Sequence, residues 1–199
     1  MLKAPRPGEV KTRLAATVGE TEAVAVYRRL AERQVRALPT GWPVSIHFAP
    51  AEAGPEIRPW LQPHHPGLDF QPQCAGDLGA RLTAAFATEF ARGAPAVLAI
   101  GGDCPGLDGP ILQLAQRALA TADVVLGPAV DGGYYLIGLN APCPALFATI
   151  TWSSQAVLAQ TRKRIHAQGK TMTELPVLED VDDAASWLRA TAMMRSSGS

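Results

Sequence analysis

Residues 94–103, APAVLAIGGD, constrain the fold more than any other stretch, because an unbroken apolar run there ends in Gly-Gly-Asp. Continuous rather than alternating hydrophobicity predicts a central strand covered on both faces. DVVLGPA at 123–129 predicts a second buried strand, and GYYLIGL at 133–139 a third. Helical periodicity lies between the strands. Residues 20–38 carry Ala23, Val26, Leu30 and Val35 near helical spacing, with Pro39 and Gly41 to stop the helix. A strand is expected at 43–50, a short helix or turn at 53–61 and a short strand at 68–71. Asp77 is placed to cap a helix reaching Arg92, with Leu78, Leu82, Ala85, Phe86 and Phe90 on its buried side. Further helices are predicted at 109–121, at 153–168 with Ser153 as cap and Trp152 packing, and at 182–190. A short strand is expected at 171–175. Strands alternating with helices specify an α/β layered fold with a mostly parallel sheet.

Size and charge narrow the function. A chain of 199 residues suffices for one such domain and is short for two, so residues 1–190 read as a single domain. Residues 191–199 read as a disordered tail. Lys plus Arg and Asp plus Glu number 18 each, which argues against nucleic acid or an anionic membrane as partner. No apolar run approaches the roughly 20 residues of a membrane helix. Cys74, Cys104 and Cys143 are odd in number and lack zinc or CxxC spacing, the pattern of reduced thiols in a cytoplasmic protein. His64 and His65 read as exposed polar surface.

Ligands of open α/β sheets bind beyond the carboxyl ends of the strands, so the loops matter most. Residues 3–14 gather Lys3, Arg6, Lys11 and Arg13 around Gly8, suited either to phosphate oxygens or to a solvated basic turn. This is not a Walker A loop, which needs a glycine directly before the lysine. Asp103, after Gly101-Gly102, suits Mg²⁺ bridging phosphates, or a turn before Pro105. Residues 127–135 read as a hairpin turn or as a pocket wall with close backbone approach. In Glu179-Asp180-Val181-Asp182-Asp183, alternation puts Asp180 and Asp182 on one side, where either could complete a metal site with Asp103. The rival reading has Asp182 or Asp183 capping the last helix. Cys104 has no histidine near it in sequence and reads as a buried structural thiol. No G-x-S-x-G elbow is present.

Taken in order, APRPGEVKTRL, QCAGDLGARL at 73–82, GGDCPGL at 101–107, GPAVDGGYYLIGL at 127–139 and DVDD at 180–183 closely resemble the bacterial DUF2064 family. That family is glycosyltransferase-A-like, among the nucleotide-diphospho-sugar transferases. It is also similar to guanylyltransferases acting on phospholactate and to molybdenum-cofactor nucleotidyltransferases. The resemblance runs from Lys3 to about Leu188. It implies a Rossmann-like GT-A fold of three α/β/α layers around a mixed, mainly parallel central sheet. It implies that Lys3, Gly8, Lys11, Thr12 and Arg13 cradle nucleotide phosphates, and that Gly76, Asp77 and Arg81 face the nucleotide or sugar. Gly132, Gly133 and Tyr134 would border the sugar or acceptor; if the sugar inverts, Asp131 is the chosen base for the acceptor hydroxyl, and a retaining mechanism stays open. Asp103, Asp180 and Asp182 would hold Mg²⁺ or Mn²⁺.

The activity so implied is metal-dependent transfer of a sugar from a nucleotide-diphospho-sugar to a small-molecule acceptor. Two alternatives stay open: nucleotidyl transfer with release of pyrophosphate, and nucleotide binding without turnover. Two departures from the family pattern bear on this. Only Met1 and Leu2 precede Lys3 where the family has several apolar residues, so a short first strand is expected, and an exposed apolar edge that favours a homodimer. The usual Asp-x-Asp is here Asp103-Cys104-Pro105, so a second metal ligand must come from the later acidic cluster.

Overall fold

A computed structural model describes residues 1–196. The fold is mixed α/β, as the alternation of elements requires. The chain forms two compact units: Met1–Pro72 with Gly102–Gly109 and the segment from Glu179 onward, and Gln73–Gly101 with Pro110–Leu178.

In the first unit, β1 (Leu2–Lys3), β2 (Val44–Ala49) and β3 (Leu68–Pro72) form a parallel sheet in that order. Leu2 lies opposite Phe48, and Val44 opposite Leu68. The first strand is short, as expected. Its backbone is fastened by Tyr27, whose hydroxyl accepts from the Lys3 N–H at 2.9 Å and donates to the Lys3 carbonyl at 3.1 Å. Helices α1 (Thr12–Val18), α2 (Glu20–Arg36), α3 (Gly54–Leu61) and α7 (Ala184–Ser196) complete the unit. The predicted stripe of α2, Ala23, Val26, Leu30 and Val35, is buried. One core gathers Leu2, Tyr27, Ile46, Phe48, Ile57, Leu61 and Phe70. A second joins Leu14 of α1 and Ala23, Val26 and Leu30 of α2 to Val181 and Ala190.

The second unit contains α4 (Leu78–Ala91), β4 (Val97–Ile100), α5 (Gly109–Ala118, all but its first residue), β5 (Val124–Pro128), β6 (Tyr134–Leu139), α6 (Val157–Ala167) and β7 (Met172–Glu174). Its sheet runs β4-β6-β5-β7, antiparallel about β6 and parallel between β5 and β7. Residues 127–134 thus turn the chain from β5 into β6 as a hairpin.

Some expectations are corrected. The 94–103 run supplies β4, which ends the order of its sheet and is half-buried, while β5 is buried throughout. Apolar continuity reports an absence of polar side chains and does not rank strands within a sheet. Leu78 is exposed, while Gly79 beside it and Leu82, Ala85 and Phe86 form the buried face of α4. The helix expected from 153 starts at Val157, and Ser153 (φ 61°) does not cap it. Instead Ser154 Oγ accepts from the Ala156 N–H at 3.3 Å. His65 is buried. Helix α7 continues past Ala190 to Ser196, so 191–196 is helical rather than a tail, and residues 197–199 lie outside the described residues.

Candidate functional site

The first unit brings three of the singled-out charges to one point. Each comes from a different chain segment, and each is placed by a buried neighbour. Gly8 (φ 75°) turns the first loop, and Val10 and Leu14 are buried on either side of Lys11. Lys11 itself lies in the left-handed region (φ 49°, ψ 43°), uncommon for a residue with a Cβ, and its carbonyl starts α1 by accepting from the Ala15 N–H at 2.8 Å. Gly102 precedes Asp103, and a Cβ on it would run into Leu2. The loop after Asp103 is held from α2, where Arg33 Nε donates to the Pro105 carbonyl at 3.3 Å and Gln34 Nε2 to the Leu107 carbonyl at 3.1 Å. In the third segment Val181 is buried and its N–H donates to the Asp103 carbonyl at 3.0 Å. Next to Val181, Asp182 reaches Lys11, whereas the Asp180 carboxylate lies against the Cys104 thiol.

At that point Lys11 Nζ donates to Asp103 Oδ2 at 2.6 Å and lies 3.4 Å from Asp182 Oδ1. The lysine side chain is 6% exposed, against 32% and 40% for the two aspartates. Burial works against its charge, but the charges of Asp103, Asp182 and Asp180 and the bond to Asp103 outweigh it and hold the ammonium above its ordinary pKa. Burial, then Asp180 and Asp103, push the Cys104 thiol far up. It stays protonated, which fits the structural role read from sequence.

The acidic cluster divides its labour. Asp183 caps α7: its Oδ1 accepts from the Ser186 N–H at 2.8 Å, while Ser186 Oγ accepts from the N–H groups of Asp183 and Asp182, each at 3.0 Å. This reciprocal arrangement is a capping box, and it leaves the Asp182 carboxylate to Lys11. The spacing Asp183-x-x-Ser186 was the sequence signal for it. Glu179 pairs with Arg189, Nε to Oε2 at 2.9 Å.

Other singled-out residues of this unit, Lys3, Thr12 and Arg13, are exposed on β1 and the first turn of α1. Gly76, Asp77 and Arg81 belong to the second unit. Asp77 caps α4 as predicted, its Oδ1 accepting from the Ala80 N–H at 2.9 Å, and Arg81 Nε donates back to the Gly76 carbonyl at 3.0 Å. Asp131, Gly132, Gly133 and Tyr134 form the β5–β6 turn, so the hairpin reading holds. Asp131 Oδ1 accepts from the Gly133 N–H at 2.8 Å. Gly132 sits at φ 87°, where a Cβ would meet the Gln155 backbone, and its carbonyl accepts from the Leu158 N–H at 2.9 Å. Burial pushes the Tyr134 hydroxyl well up.

Whether the acidic centre suits a metal is a question of donors and charge. Among the described residues no three His, Cys, Asp or Glu side chains converge as a ready-made metal-ligand group. The donors around Lys11 are nevertheless all carboxylate oxygens, as hard divalent cations prefer. Two of them, Asp103 and Asp182, share the lysine, and two carboxylates are what Mg²⁺ takes when phosphates and water complete its shell.

Residues 33–154 match the family DUF2064, described as uncharacterized protein conserved in bacteria. The chain belongs to this family. Consistent with that, this DUF2064 protein is 33% identical to a putative nucleotide-diphospho-sugar transferase from Desulfovibrio desulfuricans G20, over 92% of this chain and 81% of that one, with a TM-score of 0.85. It shares its fold with Rv0371c from Mycobacterium tuberculosis H37Rv, at 16% identity, 95% and 94% coverage and a TM-score of 0.56. The same holds for an Rv0371c homologue from Mycobacterium sp. strain JC1, at 16% identity, 83% coverage of each chain and a TM-score of 0.56. No curated protein matches the DUF2064 chain. No helix among the described residues is long and apolar enough to cross a membrane.

Proposed function

We propose that this protein is a transferase that takes a sugar from a nucleotide-diphospho-sugar donor to a small-molecule acceptor, with Mg²⁺ or Mn²⁺ as cofactor. The observation that carries the reading is the convergence of two carboxylates, Asp103 and Asp182, on the buried side chain of Lys11. The relation to the Desulfovibrio protein supports it at the level of reaction class. In glycosyl transfer the difficult charge is the one that develops on the departing diphosphate, and fixed cations at that position lower the barrier. A bound metal ion would supply Lewis-acid stabilisation of those oxygens. Asp103 and Asp182 would hold it, with Asp180 beside them. Lys11 and Arg13 would offset the remaining phosphate charge, Arg13 in fork geometry. Asp131 is the proposed base for the acceptor hydroxyl, its carboxylate oriented by the Gly133 N–H.

The test is product chemistry. Nucleotide sugars and nucleoside triphosphates are offered with Mn²⁺ and a panel of hydroxyl acceptors. Release of nucleoside diphosphate from a nucleotide sugar is the expected result. Pyrophosphate released from a triphosphate, with none of the former, would replace this reading with nucleotidyl transfer.

A further inference from the structure

Lys11 occupies the position from which a cation would address both Asp103 and Asp182. Its ammonium lies 2.6 Å from one carboxylate and 3.4 Å from the other, and its side chain is almost wholly buried. Val10 and Leu14 anchor the backbone on both sides, and the left-handed conformation at Lys11 is maintained between them. This is therefore a built contact rather than a loose surface pair. A divalent ion on the same oxygens would stand within a few ångströms of the ammonium, where like charges in a partly buried site repel strongly. The lysine stem is flexible, and an ammonium donates to phosphate oxygens as readily as to carboxylates.

We propose that Lys11 is a tethered counter-ion which excludes a divalent metal from Asp103 and Asp182 until a donor diphosphate draws it away. The proposal rests on the metal-dependent reading above. It makes metal and diphosphate mutually reinforcing ligands: each binds more tightly when the other is present, by the same factor. Metal alone binds weakly, because it must first displace a lysine that already pairs with both carboxylates.

The test follows Mn²⁺ binding by the electron paramagnetic resonance signal of the free ion, without nucleotide or turnover. Lys11→Met should bind Mn²⁺ at least tenfold more tightly than wild type, whereas Lys11→Arg, which keeps the charge, should stay as weak as wild type. Adding Asp103→Asn to Lys11→Met should remove the gain. A second measurement needs no variant: acetylation of Lys11 by acetic anhydride in wild-type protein, read by mass spectrometry, should rise as Mn²⁺ saturates. Equal affinity in wild type and Lys11→Met, with binding lost in Asp103→Asn, would overturn the exclusion while leaving the metal site standing. Lys11 reactivity that ignores bound Mn²⁺ would overturn it too. No Mn²⁺ binding by any form, with or without inorganic pyrophosphate, would remove the metal-dependent reading and this proposal with it.

Discussion

Lys11 and Asp103 are separated by 92 positions in sequence, yet they form the shortest polar contact of the proposed site. Each was legible alone: the lysine as a phosphate ligand, the aspartate as a metal ligand after Gly-Gly. Their pairing was not, because it depends on Val181 and Leu14 being buried in one core, and sequence spacing carries no information about that. His65 escaped for a similar reason, since a histidine in a proline-rich loop looks polar until the chain around it folds. Two substitutions examine this scale. Asp103→Asn should abolish metal-dependent nucleotide binding in calorimetry while leaving the circular dichroism spectrum unchanged. Lys11→Ala should weaken binding of nucleoside diphosphates more than of nucleosides, and equal losses would remove the lysine from the phosphate site.

At the scale of elements, helix α7 matters most, because its first turn decides which acidic residue is structural. Removing the reciprocal cap with Ser186→Ala should cost about 1 kcal/mol in urea unfolding. The cap also has a pH signature. The N–H and hydroxyl of Ser186 hold the Asp183 carboxyl below its ordinary range, so the folded pKa lies under the unfolded one. Its stabilisation is present above the unfolded value of about 3.9 and is lost as pH falls through the folded value. Protection of the Ser186 amide, measured against its intrinsic exchange rate, should therefore fall as pH drops below about 4, and the Asp183→Asn protein should lack that pH dependence. The β5–β6 turn gives the third test: Gly132→Ala combines a positive φ with a backbone collision and should destabilise by more than about 1 kcal/mol.

Long periodic elements such as α2, and the apolar runs of β5 and β6, were legible because their burial is written in the residues themselves. Helix α1 was not. It has only seven residues and follows a lysine in an unusual backbone conformation, so the basic segment reads as one loop. The half-buried state of β4 was equally hidden, since position in a sheet depends on partners elsewhere in the chain.

Across the whole molecule, the first unit is assembled from three separated segments, and the charged centre takes Lys11 from the first, Asp103 from the second, and Asp180 and Asp182 from the third. A ligand bound there holds all three segments together, so it should stabilise folding by mass action, by about 2.7 kcal/mol at a concentration of 100 Kd. That coupling makes thermal unfolding the most direct test. The protein would be heated with UDP, GDP, ADP, CDP and TDP and their sugars, each with and without Mn²⁺, beside the Asp103→Asn variant. One diphosphate series should raise the melting temperature only when Mn²⁺ is present, and Asp103→Asn should lose the effect. A shift of the same size without metal, or none with any nucleotide, would contradict the metal-dependent reading.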